Sequence, residues 1–64
     1  MRLDAIKFAV AMVKKNYNMN SLAEACGISR NTLSAAKAGK RIKPETAFKI
    51  AKILEVELEE LLED

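Results

Sequence analysis

The chain has 64 residues, half of them hydrophobic, with one cysteine, no histidine and a net charge of +2. A chain this short buries only about 60% of the surface that its unfolded form exposes, so we expect one domain over residues 1–64 with no room for an enzyme's substrate cleft. A lone cysteine excludes an intramolecular disulfide and favours the cytoplasm, and the longest apolar stretch, residues 8–13, is too short for a membrane span.

Charge is divided unevenly along the chain. Residues 1–54 contain all 11 basic residues and only three acidic ones, which gives +8, whereas residues 55–64 contain six acidic residues and no basic one, which gives −6. A basic body favours a polyanionic partner, and the acidic end is expected to point away from that partner. An ordinary solvated surface explains the same charge bias equally well. The sequence motifs must therefore decide between a polyanionic partner and a solvated surface.

Helical periodicity covers most of the chain, and no run shows the strict alternation of a strand, which predicts an all-α fold. The first predicted helix runs from Leu3 to Lys15, with Phe8 at the edge of a broad apolar face. That face is expected to be deeply embedded. It comprises Ile6, Ala9, Val10, Met12 and Val13.

The next two helices are predicted from their end signals. Asn18 is expected to cap the second helix, and Gly27 ends it. Ser29 is expected to cap a third helix that runs from Arg30 to about Lys37. Both helices are short.

A fourth and a fifth helix complete the prediction. Pro44 suits the first turn of the fourth helix. Its residues Ala47, Phe48, Ile50, Ala51 and Leu54 are expected to point mostly inward, and Leu58, Leu61 and Leu62 mark the fifth helix.

The short turn between the second and third helices requires them to cross steeply with their backbones close together. Ala23 is small enough to admit the crossing, and Gly27 can take the positive φ of the turn. Ile28 and Leu33 are expected to fill the wedge between the helices. The pattern predicts a helix-turn-helix over about residues 19–37.

A series of short motifs in and after this helix-turn-helix resembles the consensus of the Cro and repressor (Xre-type) family of bacterial and phage transcriptional regulators. They are Leu22-Ala23, Gly27-Ile28-Ser29, Asn31-Thr32-Leu33-Ser34 and Gly39-Lys40-Arg41, followed by Ile50-Ala51-Lys52-Ile53-Leu54 and Val56-Glu57-Leu58-Glu59-Glu60-Leu61-Leu62 for the last two helices. The resemblance spans residues 8–62 and implies a five-helix, lambda-repressor-like fold. It also implies a small regulator, a repressor, that binds double-stranded DNA with its third helix in the major groove.

The resemblance implies base contacts at the start of the third helix. Arg30 and Asn31 stand where the family reads bases; arginine can pair with guanine O6 and N7, and asparagine with adenine N6 and N7. Ser34 and Ala35 lie one turn farther along, where a hydroxyl can reach a base or phosphate and a methyl can meet thymine. The alternative is that all four merely face solvent.

Phosphate contacts are implied mainly after the third helix, in the segment that the family lays along the DNA backbone. An ordinary solvated loop is the alternative for that segment. The amides at the start of the second helix can hold another phosphate. The expected phosphate contacts are Asn18, Asn20, Ser29, Thr32, Lys37, Lys40, Arg41 and Lys43.

Several positions depart from the family pattern, among them Met12, Lys37 and Glu55. Met12 and Lys37 stand where some relatives carry an Arg–Glu ion pair, so both partners have changed together. Met12 is therefore expected to be buried near the aliphatic stem of Lys37, whose ammonium is left for solvent or phosphate. Glu55 replaces a common glycine after the fourth helix, which leaves the turn geometry there open.

Catalysis is not expected. Ser34 and Lys37 spell the Ser-x-x-Lys motif of acylating serines, but no partner motif accompanies them. Cys26 is interpreted as a small buried apolar residue, and no metal, cofactor or small-molecule ligand is predicted. The rival to DNA binding is a protein-binding module, such as an antitoxin or anti-repressor, on the same fold.

Assembly follows from how little DNA one short helix can read, since a few base pairs do not select a site in a genome. The resemblance implies a weak homodimer on an inverted-repeat operator, with recognition helices about 34–36 Å apart. Leu58, Leu61 and Leu62 cannot all face so small a core, so one of them is expected to remain for a partner. The dimer contact is therefore expected at Leu62 and its neighbours on the fifth helix, Leu58 and Leu61. The apolar face of the first helix is an alternative surface, and Leu62 as a frayed end is another interpretation.

Overall fold

Four α-helices and one 3-10 turn make up the regular structure of residues 1–63, which are the residues that the computed structural model describes. The helices are α1 (Ala5–Lys14), α2 (Met19–Cys26), α3 (Arg30–Lys37) and α4 (Pro44–Leu54), and the 3-10 turn is Leu58–Glu60. Within residues 1–63 the only β-pairing is an isolated antiparallel bridge between Leu3 and Leu62. The all-α prediction is confirmed, but the predicted fifth helix is only this 3-10 turn.

α1 begins later than its sequence pattern predicts. Leu3 belongs to the bridge with Leu62, and Asp4 is the N-cap, its carboxylate accepting a 2.9 Å hydrogen bond from the backbone N–H of Lys7. The backbone N–H of Asp4 donates to the carbonyl of Leu61 at 2.7 Å. This long-range bond holds residues 3 and 4 in extended backbone, so the start predicted at Leu3 is wrong.

The apolar face of α1 is only partly embedded. Phe8, Ala11 and Met12 are buried in the core. On the outer side Ile6 and Val13 are each 76% exposed and Val10 is 48% exposed. A helix that packs on one side buries a stripe of residues spaced three and four apart. The prediction of a deeply embedded face is therefore wrong for the outer stripe, and Phe8, expected at its edge, is fully buried.

The helix-turn-helix follows its local signals closely. Asn18 caps α2 and Ser29 caps α3 through their side chains, as predicted. Gly27 ends α2 in the left-handed conformation with φ +70°, which is also as predicted. Each of these bonds or angles involves residues close together in the chain, so a short stretch of sequence suffices to specify them.

α4 starts with Pro44 in its first turn and buries Ala47, Ile50, Ala51 and Leu54. The sequence pattern also predicts that Phe48 points inward, but the side chain is 60% exposed. At about 100° per residue, Phe48 lies about 110° from the middle of the stripe formed by those four residues, and so outside it. Glu55 ends α4 in the left-handed conformation with φ +57°.

The C-terminal segment, residues 55–63, lies against the start of the chain. The backbone N–H of Glu63 donates to the carbonyl of Arg2 at 3.2 Å, and the Nζ of Lys7 donates to the carbonyl of Leu62 at 3.2 Å. Bonds to the N-terminal residues thus replace the i to i−4 bonds that a fifth helix would need. Leu61 is 1% exposed, whereas Leu58 and Leu62 are half-buried.

The core combines side chains from all four helices and both ends of the chain, and within residues 1–63 no charged or polar side chain is buried. α2 packs against both α3 and α4, and α1 packs against α3. Fully buried large residues are Leu3, Phe8, Leu22, Leu33, Ile50, Leu54 and Leu61. α3 is therefore supported from behind, and its other face is open.

Candidate nucleic-acid interface

The start of α3 is fixed by two hydroxyl groups. The Ser29 Oγ accepts a 3.1 Å hydrogen bond from the backbone N–H of Thr32, and it lies 2.8 Å from the Thr32 Oγ1. These contacts set the orientation of the first turn, which carries Arg30 and Asn31. Because the two hydroxyls bond to each other, only one of their protons remains for another acceptor.

The open face of α3 brings together most of the predicted base-contacting side chains. Arg30, Asn31, Ser34 and Lys37 are exposed and share one side of the helix, whereas Ala35 is half-buried at its edge. The opposite side packs on the core through Leu33 and Ala36. Among the described residues, the four exposed side chains of this face make no hydrogen bond or ion pair within the chain. Their donors and acceptors are therefore available to a ligand.

The segment after α3 displays cations on a fixed backbone. The backbone N–H of Ile42 donates to the carbonyl of Met1 at 2.8 Å, and the nitrogen of Met1 donates to the carbonyl of Ile42 at 3.1 Å. Ile42 itself packs against the core. Its neighbours Arg41 and Lys43 are exposed, as is Lys40. Three positive charges are thus held beside the C-terminal end of α3.

The start of α2 forms a second polar site. The Asn18 Oδ1 accepts a 2.8 Å bond from the backbone N–H of Ser21, and the Ser21 Oγ accepts a 3.0 Å bond from the backbone N–H of Asn18. This reciprocal capping box uses the Asn18 oxygen and leaves its amide NH₂ as a donor. Asn20 is exposed one position inside the helix. The helix start therefore presents donors to solvent.

A shallow groove of about 360 Å³ joins the start of α2 to the end of α3. It is lined by Met19, Ser34, Lys37 and Ala38. Met12 is buried, as predicted, and Lys37 is exposed with no carboxylate partner among residues 1–63. The ammonium of Lys37 is therefore free on the same side of the molecule as Ser34.

The single cysteine, Cys26, is a packing residue of the core. Cys26 is buried, with its Sγ 4.0 Å from the carbonyl oxygen of Lys49. Burial raises the pKa of this thiol, so it stays protonated at neutral pH, as expected of a packing residue. Residues 1–63 contain no cluster of potential metal ligands. In the same part of the chain no helix has the length and apolarity needed to cross a membrane.

The three leucines predicted at a dimer contact occupy different environments. Leu61 belongs to the core of its own domain and does not reach the surface. Leu58 and Leu62 keep part of their surface exposed beside Phe48. Sequence reasoning missed Phe48 as a surface residue, because its hydrophobicity alone placed it with the core of α4.

Comparison with known proteins identifies the domain type. The family model described as helix-turn-helix, of the Cro/C1 (Xre-like) type, matches residues 9–61. The solved structure of a mutant hydroxyethylphosphonate dioxygenase is similar over the whole of this chain, with a TM-score of 0.86 and 28% sequence identity. This chain covers only 14% of that enzyme's chain, so the likeness concerns one small helical part of it.

No curated protein matches the chain. The family match nevertheless covers most of the sequence and includes both helices of the helix-turn-helix, α2 and α3. The chain belongs to the Cro/C1-type (Xre-like) helix-turn-helix family, a family of DNA-binding domains found in transcriptional regulators.

Proposed function

We propose that this chain is a sequence-specific double-stranded-DNA-binding domain of a bacterial or phage transcriptional repressor, acting in the cytoplasm with α3 in the major groove. The observation that carries the proposal is the open face of α3, where Arg30, Asn31, Ser34 and Lys37 are exposed and unpaired among the described residues. A protein groove would not need so polar a surface, whereas base edges and phosphates offer partners for every one of these groups.

Base reading falls to the start of α3. Arg30 donates two hydrogen bonds to guanine O6 and N7, and Asn31 bonds adenine N6 and N7. Ser34 lies one turn farther on and reaches a base edge or a phosphate. Ala35 is half-buried at the edge of this face, so its methyl group contacts thymine only if the helix is rotated toward it.

Phosphate binding falls to the groups around that helix. Lys40, Arg41 and Lys43 lie along one DNA strand, because the bonds between Ile42 and Met1 hold their backbone in place. The other proposed phosphate contacts are Asn18 and Asn20 at the start of α2, the Ser29–Thr32 hydroxyl pair, and Lys37. These contacts supply affinity that falls with salt and carry little sequence information.

Two copies bind an inverted-repeat operator. One α3 of eight residues reads only a few base pairs, too few to select a site among the competitors in a genome. A symmetric pair doubles the sequence read and places the recognition helices about 34–36 Å apart. A weak dimer in solution is enough, since DNA holds both copies together.

Selection from a random pool of duplexes tests the proposal. Duplexes recovered after several rounds are sequenced, and their affinity is measured over a range of salt concentrations beside an unrelated duplex. We expect an enriched inverted repeat with half-sites about 10 base pairs apart and an affinity that falls linearly on a log–log salt plot. If the recovered pool shows no enriched sequence and binding does not depend on salt, the proposal of sequence-specific DNA binding is contradicted.

A second candidate is a protein-binding module, such as an antitoxin or anti-repressor, and one observation favours it. Ile6, Val10 and Val13 form an exposed apolar stripe on α1 that no described residue covers. Exposed apolar surface of this kind is typical of protein contacts. A complex with a protein that survives high salt, combined with no salt-sensitive DNA binding, favours this candidate over the first.

A further inference from the structure

The exposed apolar side chains of α1 have the spacing of a coiled-coil seam. Ile6, Val10 and Val13 follow one another at intervals of four and three residues and are 76%, 48% and 76% exposed. We propose that these three residues, the α1 seam, bind an acidic amphipathic helix of another protein, which packs along α1 while α3 holds DNA. The inference goes beyond the proposed function and rests on it only for the simultaneous binding of DNA.

α1 has an apolar face on each side. Phe8, Ala11 and Met12 hold the inner face in the core. The α1 seam lies on the opposite side of the helix, at about 100° per residue. Apolar residues that alternate at spacings of four and three occupy the a and d positions of a heptad, whose side chains interlock with those of a second helix. The outer face of α1 therefore fits a helical partner.

The edges of the α1 seam favour an acidic partner. Lys7 and Lys14 each follow a seam residue by one position, which is position e of the heptad, and α1 contains no acidic residue. Lys7 also donates to the carbonyl of Leu62, whereas Lys14 is exposed and has no hydrogen-bond or ion-pair partner among residues 1–63. On the other edge, Ala9 at position g is small enough for a second helix to approach closely. Charges at e and g decide which helices pair, so the lysine edge selects acidic residues on the partner.

An open groove of about 510 Å³ runs along the lysine edge of α1. Ile6 and Val10 line it from α1, and Leu54, Val56 and Leu61 line it from the end of α4 and the C-terminal segment. Amphipathic helices lay their apolar face into grooves of this kind, with anchors that recur every three or four residues. The groove thus adds apolar contact to that of the α1 seam.

Two acidic residues that also line the groove, Glu55 and Glu60, already have partners. The Glu55 Oε2 lies 3.0 Å from the Nζ of Lys15, and the Glu60 Oε2 accepts a 3.1 Å hydrogen bond from the backbone N–H of Glu57. Lys14 lines the groove as well and has no such partner within the described chain. The charge left on α1 for a ligand to match is therefore positive.

A second copy and a membrane suit this surface less well. Antiparallel α1 helices bring position e beside position e, so lysines would face lysines, and parallel helices bring e beside g, where Ala9 is uncharged. An anionic membrane is negative throughout and would also meet the six acidic residues of positions 55–64. A protein helix instead places its acidic residues beside the lysines alone.

The proposed contact leaves the DNA-binding face open and is weak. No residue of α2 or α3 lines the groove beside α1. A stable interface buries about 800 Å² on each partner, which is more than a seam of three residues and an open groove provide. We therefore expect a dissociation constant of about 100 µM for a partner helix.

Titration of a labelled peptide with the full chain, followed by fluorescence anisotropy, tests the inference. The peptide has three heptads with leucine at a and d and glutamate at e and g, and its like charges keep it from pairing with itself. One control peptide has lysine at e and g, and the other has the acidic peptide's composition in scrambled order. We expect the acidic peptide to bind about tenfold more tightly than either control.

Matched variants locate the site. Val13→Glu and Phe48→Glu each put a carboxylate on an exposed apolar position of a helix, but only the first should weaken binding of the acidic peptide, by about tenfold. Lys14→Glu and Lys52→Glu each reverse the charge of an exposed lysine, but only Lys14→Glu should lose the preference for the acidic over the lysine peptide. Circular dichroism checks that all four variants are folded.

Equal binding of the acidic and scrambled peptides would overturn the inference, as would equal effects of the two variants in either pair. Two further measurements on the chain alone test the other occupants, namely binding to phosphatidylglycerol vesicles and self-association in sedimentation. If Val13→Glu abolishes either one, a membrane or a second copy occupies the α1 seam and the inference is wrong. None of these measurements involves DNA, so a failed helix contact and failed DNA binding are told apart.

Simultaneous binding is tested by repeating the titration with a selected duplex bound to the chain. The dissociation constant of the acidic peptide should change by less than about twofold, because the two surfaces share no residue. Release of the peptide by the duplex would show that the two ligands compete.

Discussion

The helix-turn-helix and the C-terminal segment are held in the fold by different means. α2 and α3 are set by short-range bonds, such as the 2.8 Å bond from the Ser21 N–H to the Asn18 side chain three residues away. The C-terminal segment has one 3-10 turn and is held by residues at the other end of the chain. Its anchors include the Asp4 to Leu61 backbone bond and the burial of Leu61 in the core.

This difference explains what each region can display. Local caps fix α3 without using Arg30, Asn31 or Ser34, so a polar face remains available for DNA. The C-terminal segment is anchored by the buried side chain of Leu61, whereas Leu58 and Leu62 are half-exposed beside Phe48. One region therefore offers hydrogen-bonding groups and the other offers apolar surface. Substitutions in the two regions should separate local from long-range stabilisation.

The largest expected effect is on the long-range anchor. Leu61→Ala should lower the free energy of unfolding by about 2–5 kcal/mol, because it removes a fully buried side chain and leaves a cavity. Chemical denaturation followed by circular dichroism measures the change. Leu62→Ala is the matched control, and its half-buried side chain should cost clearly less. Equal losses for the two leucines would contradict the assigned role of Leu61.

The local caps should have a smaller effect. Asn18→Ala should lower the free energy of unfolding by about 1 kcal/mol, because the Ser21 N–H loses its acceptor. Ser29→Ala removes the corresponding bond to Thr32 and should cost a similar amount. The same denaturation measurement applies. Asn20→Ala, at an exposed position without a capping bond, serves as the control, and a loss as large there would argue against the caps.

The smallest expected effect compares two helix ends with the same backbone. α2 ends at Gly27 with φ +70°, and α4 ends at Glu55 with φ +57°, a conformation that disfavours residues with a Cβ. Glu55→Gly should raise the free energy of unfolding by up to about 1 kcal/mol, less the small contribution of the exposed ion pair between Lys15 Nζ and Glu55 Oε2 at 3.0 Å. Thermal or chemical denaturation measures the difference.

Glu55→Gln separates the two contributions, since it removes the charge and keeps the side chain. Glu55→Gly should be the more stable of the two variants. The reverse order would show that the left-handed backbone at this helix end carries no appreciable strain.

The features that could be predicted from the sequence are those with local causes. Asn18, Gly27 and Ser29 act on residues within three or four positions, so the bounds of α3 and its polar face followed from the sequence. The start of α1 depends on the distant carbonyl of Leu61, and its apolar pattern could not reveal that bond.

The same reasoning applies to the surface around Phe48. Hydrophobicity placed Phe48 with the core, but the buried stripe of α4 runs through Ala47, Ile50 and Leu54 and passes beside it. Leucine spacing indicated a fifth helix, whereas bonds to the N-terminal residues limit regular structure there to three residues. The open groove between Phe48, Leu58 and Leu62 arises from the path of the C-terminal segment, which only the structure gives.

The central claim is that α3 reads bases while the segment after it binds phosphates. The most direct test measures how Arg30→Ala and Arg41→Ala bind a selected duplex and its single-base-pair variants over a range of salt concentrations. Arg30→Ala should lose about 1–3 kcal/mol of binding free energy on the selected duplex and relax preference at one base pair. Arg41→Ala should weaken all duplexes alike and reduce the salt slope by about one. Equal, sequence-independent losses for both variants would contradict this division of roles.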